Sequence, residues 1–520
     1  MNTIKDNHNN QNSIKTIAFY LPQFHEVQEN SKWWGEGYTD WIAVKKATPL
    51  FKNHNQPRVP LNSYYYDLMN KDVMIWQSEL MKSYGIDGLC FYHYYFKDGR
   101  KILEKPAENL LRWRDIDMPF CFAWANGSWG RTWSNIWAWN ELEETKDDSD
   151  ENGILMDQKY GREKTWKDHF EYLLPFLCDS RYIRYEDKPI ILFHSAESIP
   201  CLKSMIRYWR GLAHEVGLKD LYFIGMNASV RSISKGLDAV IYNTPHQAWA
   251  LEMARIEAGI KMPSFDLMWQ NILQYRPADG VTIYYEGTGD YDDTPRRGQG
   301  SGIAITDYSA DKLRHYMEEL YLKSYASDNE FIFYNAWNEW GEGMYLEPDE
   351  KEGYDRLEAI RDAQTGAKQK ILKMGVDAYK QYRDMIQLEV TDYPADNRIE
   401  RLKSIIKCLD DLLSCAEENK DISSLLMNSD IHSVAIYGMG QVGRHLAIEL
   451  EKKGMTIEYV IDKNLNIQVS YPLYSINDEL PVVDAIIVTP IWDYDTIHDA
   501  LSDKMEVRVL SVLELIYEAE

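Results

Sequence analysis

Short apolar runs rich in aromatic and β-branched residues recur along the first two thirds of this chain. Each is followed by a polar or glycine-rich stretch and then by a helix-like one. They fall at 16–21, 88–92, 120–123, 189–193, 222–225, 239–242, 302–305 and 331–334. Strands alternating with helices build a parallel sheet through crossover connections, and eight of them predict an α/β fold closed into a (β/α)8 TIM-like barrel. Residues with chemistry also gather just after the strand ends, where a barrel's active face lies. Pro22-Gln23-Phe24-His25 follows the first run and His93-Tyr94-Tyr95 the second. Trp124-Ala125-Asn126-Gly127-Ser128-Trp129-Gly130-Arg131 follows the third, and a segment carrying Glu339 and Glu342 the eighth.

Beyond about residue 354 the pattern changes. Residues 355–388 and 396–418 show helical periodicity with many charges and no Trp, broken at Thr391-Asp392-Tyr393-Pro394, where proline disfavours a continued helix. They predict a helical connector. A different alternation begins near residue 431: an apolar run at 433–437, then Gly438-Met439-Gly440-Gln441-Val442-Gly443 leading into a helix at 444–452, then a run at 457–461 ending at Asp462, with further strands at 484–488 and 507–510. Strand, GxGxxG, helix, strand, acid is the order of a dinucleotide-binding unit. The expected organisation is therefore a barrel over 1–365, a connector over 366–430 and a small Rossmann-like α/β domain of nucleotide-binding type over 431–520.

Composition narrows the partners. The chain has 520 residues, 45% of them hydrophobic and 27% charged, enough to bury a sizeable core, and its formal charge of -25 argues against duplex nucleic acid or an anionic membrane. No run of about 18 apolar residues occurs, so no transmembrane helix is expected. Residues 1–15 are polar and Asn-rich without the apolar core of a secretory signal, which points to a cytoplasmic protein. Cys90, Cys121, Cys178, Cys201, Cys408 and Cys415 show no CxxC spacing and read as free thiols, with neither zinc nor a disulfide frame.

The aromatic content, 17 Trp and 36 Tyr, changes the picture most. Phe331-Ile332-Phe333-Tyr334 opens directly into Asn335-Ala336-Trp337-Asn338-Glu339-Trp340-Gly341-Glu342-Gly343. Two carboxylates at a strand end walled by indoles suit glycosidic chemistry: one carboxyl moves a proton at the bridging oxygen and the other supports the cation-like anomeric centre. Glu339 and Glu342 are the catalytic candidates. Glu347 either binds a sugar hydroxyl or braces a loop. Trp124, Trp129, Trp133, Trp137 and Trp139, beside Asn126 and Arg131, form an indole-rich stretch that would stack sugar rings. Tyr20, Tyr92, His25, His93, Asn338 and Trp340 complete the substrate-binding candidates. His25, His93 and His194 lack a zinc signature, and no metal is assigned. Arg296 and Arg297 would clamp a sugar acid or a diphosphate, or else pair with Asp292 and Asp293. The acidic run 147–150 reads as a solvated loop. In the last domain Gly438, Gly440 and Gly443 would admit a phosphate to a helix amino terminus and Asp462 would take a ribose hydroxyl, so a nucleotide or nucleotide sugar is the cofactor to look for there; the barrel requires none.

Several of these stretches, in order, carry a resemblance. They are Phe19-Tyr20-Leu21-Pro22-Gln23-Phe24-His25, Trp33-Trp34-Gly35-Glu36-Gly37-Tyr38-Thr39-Asp40-Trp41, Gly85-Ile86-Asp87-Gly88 with Tyr92-His93-Tyr94-Tyr95, Gln158-Lys159-Tyr160-Gly161, and the segments 292–298 and 335–348. The first 365 or so residues resemble the WbsX family of bacterial O-antigen and capsule clusters, whose barrel is related to the family-99 glycoside hydrolases. The resemblance implies that Glu339 acts as base on the sugar's own 2-hydroxyl, giving retention through an epoxide-like intermediate. Glu342 would then protonate the leaving oxygen and later activate water or an acceptor. Gly341 stands where those hydrolases commonly carry His. The function implied is a carbohydrate-active enzyme acting on an oligosaccharide or glycan in cell-surface polysaccharide assembly, alongside other assembly enzymes. Two alternatives remain: a nucleotide-sugar-dependent glycosyltransferase with the diphosphate on Arg296, Arg297 or the glycine-rich module, and a noncatalytic glycan-binding scaffold.

Overall fold

The computed structural model describes residues 14–130, 153–374 and 422–519, apart from short gaps at 227, 229, 243–244, 276–279, 299–301, 466, 468 and 492, together with scattered positions between 405 and 420. The expectations placed on Arg131, Trp133, Trp137, Trp139 and 147–150 lie outside the described residues. The chain divides into two compact units, one within 1–159, 169–196 and 212–393, the other within 160–168, 197–211 and 394–520.

The first unit is a closed barrel of eight parallel strands: β1 (Lys15–Tyr20), β2 (Gly88–Tyr95), β3 (Phe120–Trp124), β4 (Lys188–Phe193), β5 (Tyr222–Met226), β6 (Ala239–Ile241), β7 (Ile283–Thr288) and β8 (Phe331–Asn335). Each pairs with its neighbour in chain order, and β1 closes the ring by pairing with both β2 and β8, Ala18 lying opposite Leu89 on one side and Tyr334 on the other. Strands buried on both faces read as continuous apolar runs. All five residues of β3 and of β8 are buried, which is why Phe-Cys-Phe-Ala-Trp and Phe-Ile-Phe-Tyr were legible. Among the connecting helices, α1 (Asp40–Lys46), α2 (Lys71–Ser83) and the single turn α3 (Thr294–Arg297) bear on the site, and α4 (Asp355–Met374) follows the barrel across residue 365.

One strand differs from expectation. The seventh is Ile283–Thr288, not 302–305. Gly302–Ile305 is uniformly apolar but makes only isolated bridges, Ile303 with Lys261 and Ala304 with Asp292. In the true strand, Glu286 and Gly287 interrupt the apolar run although every position is buried. Gly287 is demanded by close approach, since a Cβ there would lie 2.4 Å from the Met317 sulfur. The correction moves the loop carrying Asp292, Asp293 and Arg296 from before a strand to after one, and so to the barrel's active face.

The second unit contains a five-stranded parallel sheet: β9 (Ser433–Tyr437), β10 (Thr456–Ile461), β11 (Leu473–Tyr474), β12 (Ala485–Val488) and β13 (Arg508–Ser511), in the order β11-β10-β9-β12-β13. Reversal of direction at β9 is the doubly wound arrangement. The glycine-rich turn leaves β9 and enters helix α5 (Gln441–Lys452). No described helix is long and apolar enough to cross a membrane.

Candidate active site

After β8 the chain forms a tight hairpin, Asn338–Glu339 against Met344–Tyr345, with one 3-10 turn, Trp340–Glu342, between them. Three devices hold it over the barrel. The Trp337 N–H donates to the Phe19 carbonyl at 2.7 Å. The Asn338 amide clasps Leu21, accepting from its N–H at 2.8 Å and donating to its carbonyl at 3.0 Å. The turn closes at Gly343, with φ +66° and a virtual Cβ 2.9 Å from the Asp292 nitrogen, so no side chain fits; that nitrogen donates to the Glu342 carbonyl at 2.7 Å.

Beneath the hairpin lies Glu347, 1% exposed. One carboxylate oxygen accepts from Gln77 Nε2 at 2.7 Å and Trp337 Nε1 at 2.9 Å; the other accepts from the Tyr66 hydroxyl at 2.8 Å and Trp340 Nε1 at 2.7 Å. Burial pushes this carboxyl up to about 7 against the pull of its four donors. Both oxygens are occupied, so of the two roles open from sequence the geometry gives Glu347 the brace. It also forms part of the wall of a cavity of about 350 Å³ that Tyr64, Trp76 and Tyr354 share.

The two candidate acids meet on one guanidinium. Arg296, at the end of α3, donates from Nη2 to Glu339 Oε2 at 2.9 Å and from Nη1 to Glu342 Oε1 at 2.6 Å. Its Nε and Nη2 form a two-pronged pair with Asp40 at 3.1 and 3.0 Å. Asp40 opens α1 and also accepts from the Gly341 N–H at 3.2 Å. Burial pushes the Glu339 carboxyl up to about 8; Arg296 works against this, and Glu342 and Asp40 add to it. Glu342 is the more open of the two, its side chain 24% exposed against 9%. Two carboxyl groups in such unequal surroundings suit separate tasks in proton transfer.

Other titratable groups face this cluster. Burial first, then Glu339, Glu286, Tyr94 and Glu342, hold the Tyr92 hydroxyl well above its usual range. Tyr94 is raised by burial and by Glu339, and Tyr291 by burial and by Glu342. His246 is lowered by burial with Glu342 opposing. Asp293 is pushed to about 7, chiefly by burial. Behind it Asp292 is a support: it accepts from His54 Nε2 at 2.8 Å, Gln56 Nε2 at 2.7 Å and the Thr294 hydroxyl at 2.6 Å, with Arg58 nearby at 3.7 Å.

The candidates named from sequence separate accordingly. Glu339, Glu342, Arg296 and Tyr92 come together. Arg296 pairs with Asp40 and the two glutamates rather than with Asp292 or Asp293, and it is Arg297 that approaches Asp293, at 3.7 Å. Tyr20 donates to Gln77 on α2 at 2.8 Å, so it joins the Glu347 brace. Trp340 is 1% exposed and stacks on Tyr345 at 3.7 Å, and Trp124 and Trp129 are buried as well. Asn126 clasps Ser195 as Asn338 clasps Leu21. His93 meets His169 at 2.8 Å and is held near 3 by burial, hence neutral. His25 is buried and lowered by burial. Sequence reasoning named neither His246 nor Tyr291, quoted Asp40 and Tyr94 only within longer stretches, and offered Asp293 only as a partner for the arginines. The one available signal was Asp40, an acid set between Tyr38 and Trp41 at the start of a helix.

In the second unit Gly443 packs against the turn itself, a virtual Cβ lying 2.1 Å from the Gly438 carbonyl, whereas Gly440 faces open space. Asp462 is turned into the loop, accepting from the Met439 N–H and the Asn464 N–H, each at 2.8 Å.

Comparison with known proteins gives the following. The family described as Glycosyltransferase WbsX matches residues 16–360. Two curated relatives, each described as uncharacterized protein WxcX and from two strains of Xanthomonas campestris pv. campestris, are 30% identical over 362 residues, covering 68% of this chain and 50% of theirs. The chain thus spans about half the length of the curated relatives it matches. Among solved structures, a glycoside hydrolase-like protein aligns at TM-score 0.43 and 15% identity over 68% of this chain and 94% of that one. A GH99 endo-alpha-mannosidase from Bacteroides thetaiotaomicron aligns at TM-score 0.41 and 16% identity over 71% and 98%.

Proposed function

Since this chain belongs to the WbsX glycosyltransferase family through residues 16–360, we propose that its barrel makes or cleaves glycosidic bonds during assembly of a cell-surface polysaccharide. The observation that carries this reading is the pair Glu339 and Glu342, joined by one buried arginine at the active face of the barrel. A sugar bound beside them would meet two carboxyl groups, one buried with its proton affinity raised and one more open to solvent. The retaining course proposed here has Glu339, whose proton affinity burial raises, take the proton of the sugar's 2-hydroxyl, and the more open Glu342 serve the leaving and incoming oxygens. The test is turnover of defined polysaccharide repeat fragments, with and without nucleotide sugars, by the parent and by Glu339→Gln and Glu342→Gln. Each variant should lose at least about a hundredfold in rate, the usual contribution of acid–base catalysis, with far-UV circular dichroism unchanged. Parental rates in both would remove the glutamates from the mechanism.

A second reading concerns the glycine-rich turn. Open space at Gly440, ahead of a 12-residue helix, supports a nucleotide phosphate there. Calorimetry with NAD and a panel of nucleotide sugars tests it, and heat of binding that Gly440→Asp abolishes is the expected result. No binding across the panel would leave the turn a purely structural one.

A further inference from the structure

The Asp40–Arg296 pair contacts both candidate acids and leaves neither carboxylate to solvent alone. Four formal charges sit together, three negative and one positive, with Arg296 and Asp40 fully enclosed. When every carboxylate is ionised the cluster carries two unbalanced negative charges in a desolvated place, which favours retention of one proton. We infer that Arg296, clamped by Asp40, is the positioning residue that keeps the glutamates at one proton between them. The assignment rests on the reading of Glu339 and Glu342 as the reacting pair.

Gly341 belongs to the same device. A Cβ at this position would lie 2.6 Å from Arg296 Nε and 2.6 Å from Asp40 Oδ2, so a side chain at 341 and the ion pair exclude one another. The lack of a side chain between the two acids is what lets the ion pair reach them. Every element around the cluster adds its own groups: Asp40 from α1, Tyr92 and Tyr94 from β2, His246 after β6, Glu286 on β7, and Tyr291, Asp293 and Arg297 after β7. Of these, Asp293 also titrates near neutrality, at about 7, and must be subtracted in any titration.

The two partners of the ion pair act in opposite directions on Glu339: Arg296 lowers its proton affinity and Asp40 raises it. A pair that did not act on Glu339 would leave its band unmoved in both variants. The experiment is an infrared titration of the carboxyl C=O band in the unliganded protein, with Glu339→Gln and Asp293→Asn differences to assign the band, run beside the pH profile of turnover. In Arg296→Met the Glu339 band should titrate about 1–3 pH units higher than in the parent, the range expected for loss of an adjacent opposite charge. In Asp40→Asn it should titrate lower. Gly341→Ala, which changes no charge, crowds both partners of the ion pair and should move the band away from its parental position. Should Arg296→Met not fold, Arg296→Lys carries the test: it retains the positive charge, cannot serve three carboxylates at once, and should give a smaller upward shift. Unmoved bands, or shifts of the same sign in the Arg296 and Asp40 variants, overturn the inference. Bands that shift as stated while Glu339→Gln and Glu342→Gln keep full turnover would leave the positioning intact and refute the catalytic reading instead.

Discussion

Replacing Glu347 by Gln changes one oxygen to an amide nitrogen and nothing else in size, yet the structure predicts a large loss of stability. Each carboxylate oxygen serves one indole: Trp337 at 2.9 Å on one side, Trp340 at 2.7 Å on the other. An indole N–H is a donor only, so whichever way the amide turns, one buried indole loses its acceptor. That alone costs about 1–3 kcal/mol. The second donor on the same side fares little better. Gln77 is already accepting from Tyr20, and turning its amide breaks that bond; Tyr66 would have to turn its hydroxyl toward Asn338 Nδ2, which donates to it at 3.4 Å. The remaining bonds also lose the strengthening that an ionised acceptor gives. Together these place the loss at about 2–4 kcal/mol. The assay is equilibrium urea unfolding followed by tryptophan fluorescence at pH 8, where the parent carboxylate is ionised. A change smaller than about 0.5 kcal/mol, the range of ordinary surface substitutions, would show that Glu347 is not the hub of this network.

Asp292 supplies a pH-dependent counterpart. Burial opposes its charge, but His54, Arg58 and Thr294 outweigh burial and bring its carboxyl down to about 2. A depressed folded value means the stabilisation is present above the unfolded value near 3.8 and is lost as pH falls through the window down to about 2. The urea stability gap between the parent and Asp292→Asn should therefore be about 1 kcal/mol narrower at pH 3 than at pH 6, and a gap unchanged across that range would refute the assignment. In the glycine-rich turn, Gly443→Ala should destabilise the sheet by about 3 kcal/mol, because the Cβ meets a backbone carbonyl that cannot move aside, whereas Gly440→Ala should be tolerated. Limited proteolysis separates them: new cleavage within 431–519 in the first variant and none in the second, with equal resistance in both counting against the packing argument.

The barrel was legible because parallel strands enclosed by helices must be apolar on both faces, and seven of its strands announce themselves as unbroken runs. β7 did not, for a reason tied to its place. Ile283-Tyr284-Tyr285 reads as a strand, but Glu286 puts a fully buried carboxylate in the middle of it and Gly287 puts an absence of side chain where Met317 presses in. An apolar stretch at 302–305 mimicked the missing strand. Periodicity rewards residues that obey the burial rule, so the strand most altered by the needs of the site was the one it overlooked. The same error concealed the placement of Arg296, since a loop read as preceding a strand lies at the wrong end of a barrel.

The acids themselves were legible because Glu339 and Glu342 lie three residues apart at the end of an obvious strand. Their controlling partners were not, because Asp40 is separated from Arg296 by 256 positions and only closure of the barrel brings them together. The indoles show the converse. Trp337 and Trp340 flank the acids in sequence, which suggests a sugar platform, but both ring N–H groups are spent on Glu347 and both rings are buried. Their place in the motif is explained by the need to fix a tight hairpin from below. Gly341 completes the contrast. As a letter in the motif it is a small residue between two acids; in the fold it is the gap in which a guanidinium from one distant segment, held by a carboxylate from another, reaches both of them. A side chain in that gap would decide the electrostatics of the pair as surely as a substitution of either acid, so the chemistry of this hairpin is set jointly by three segments that sequence order keeps apart.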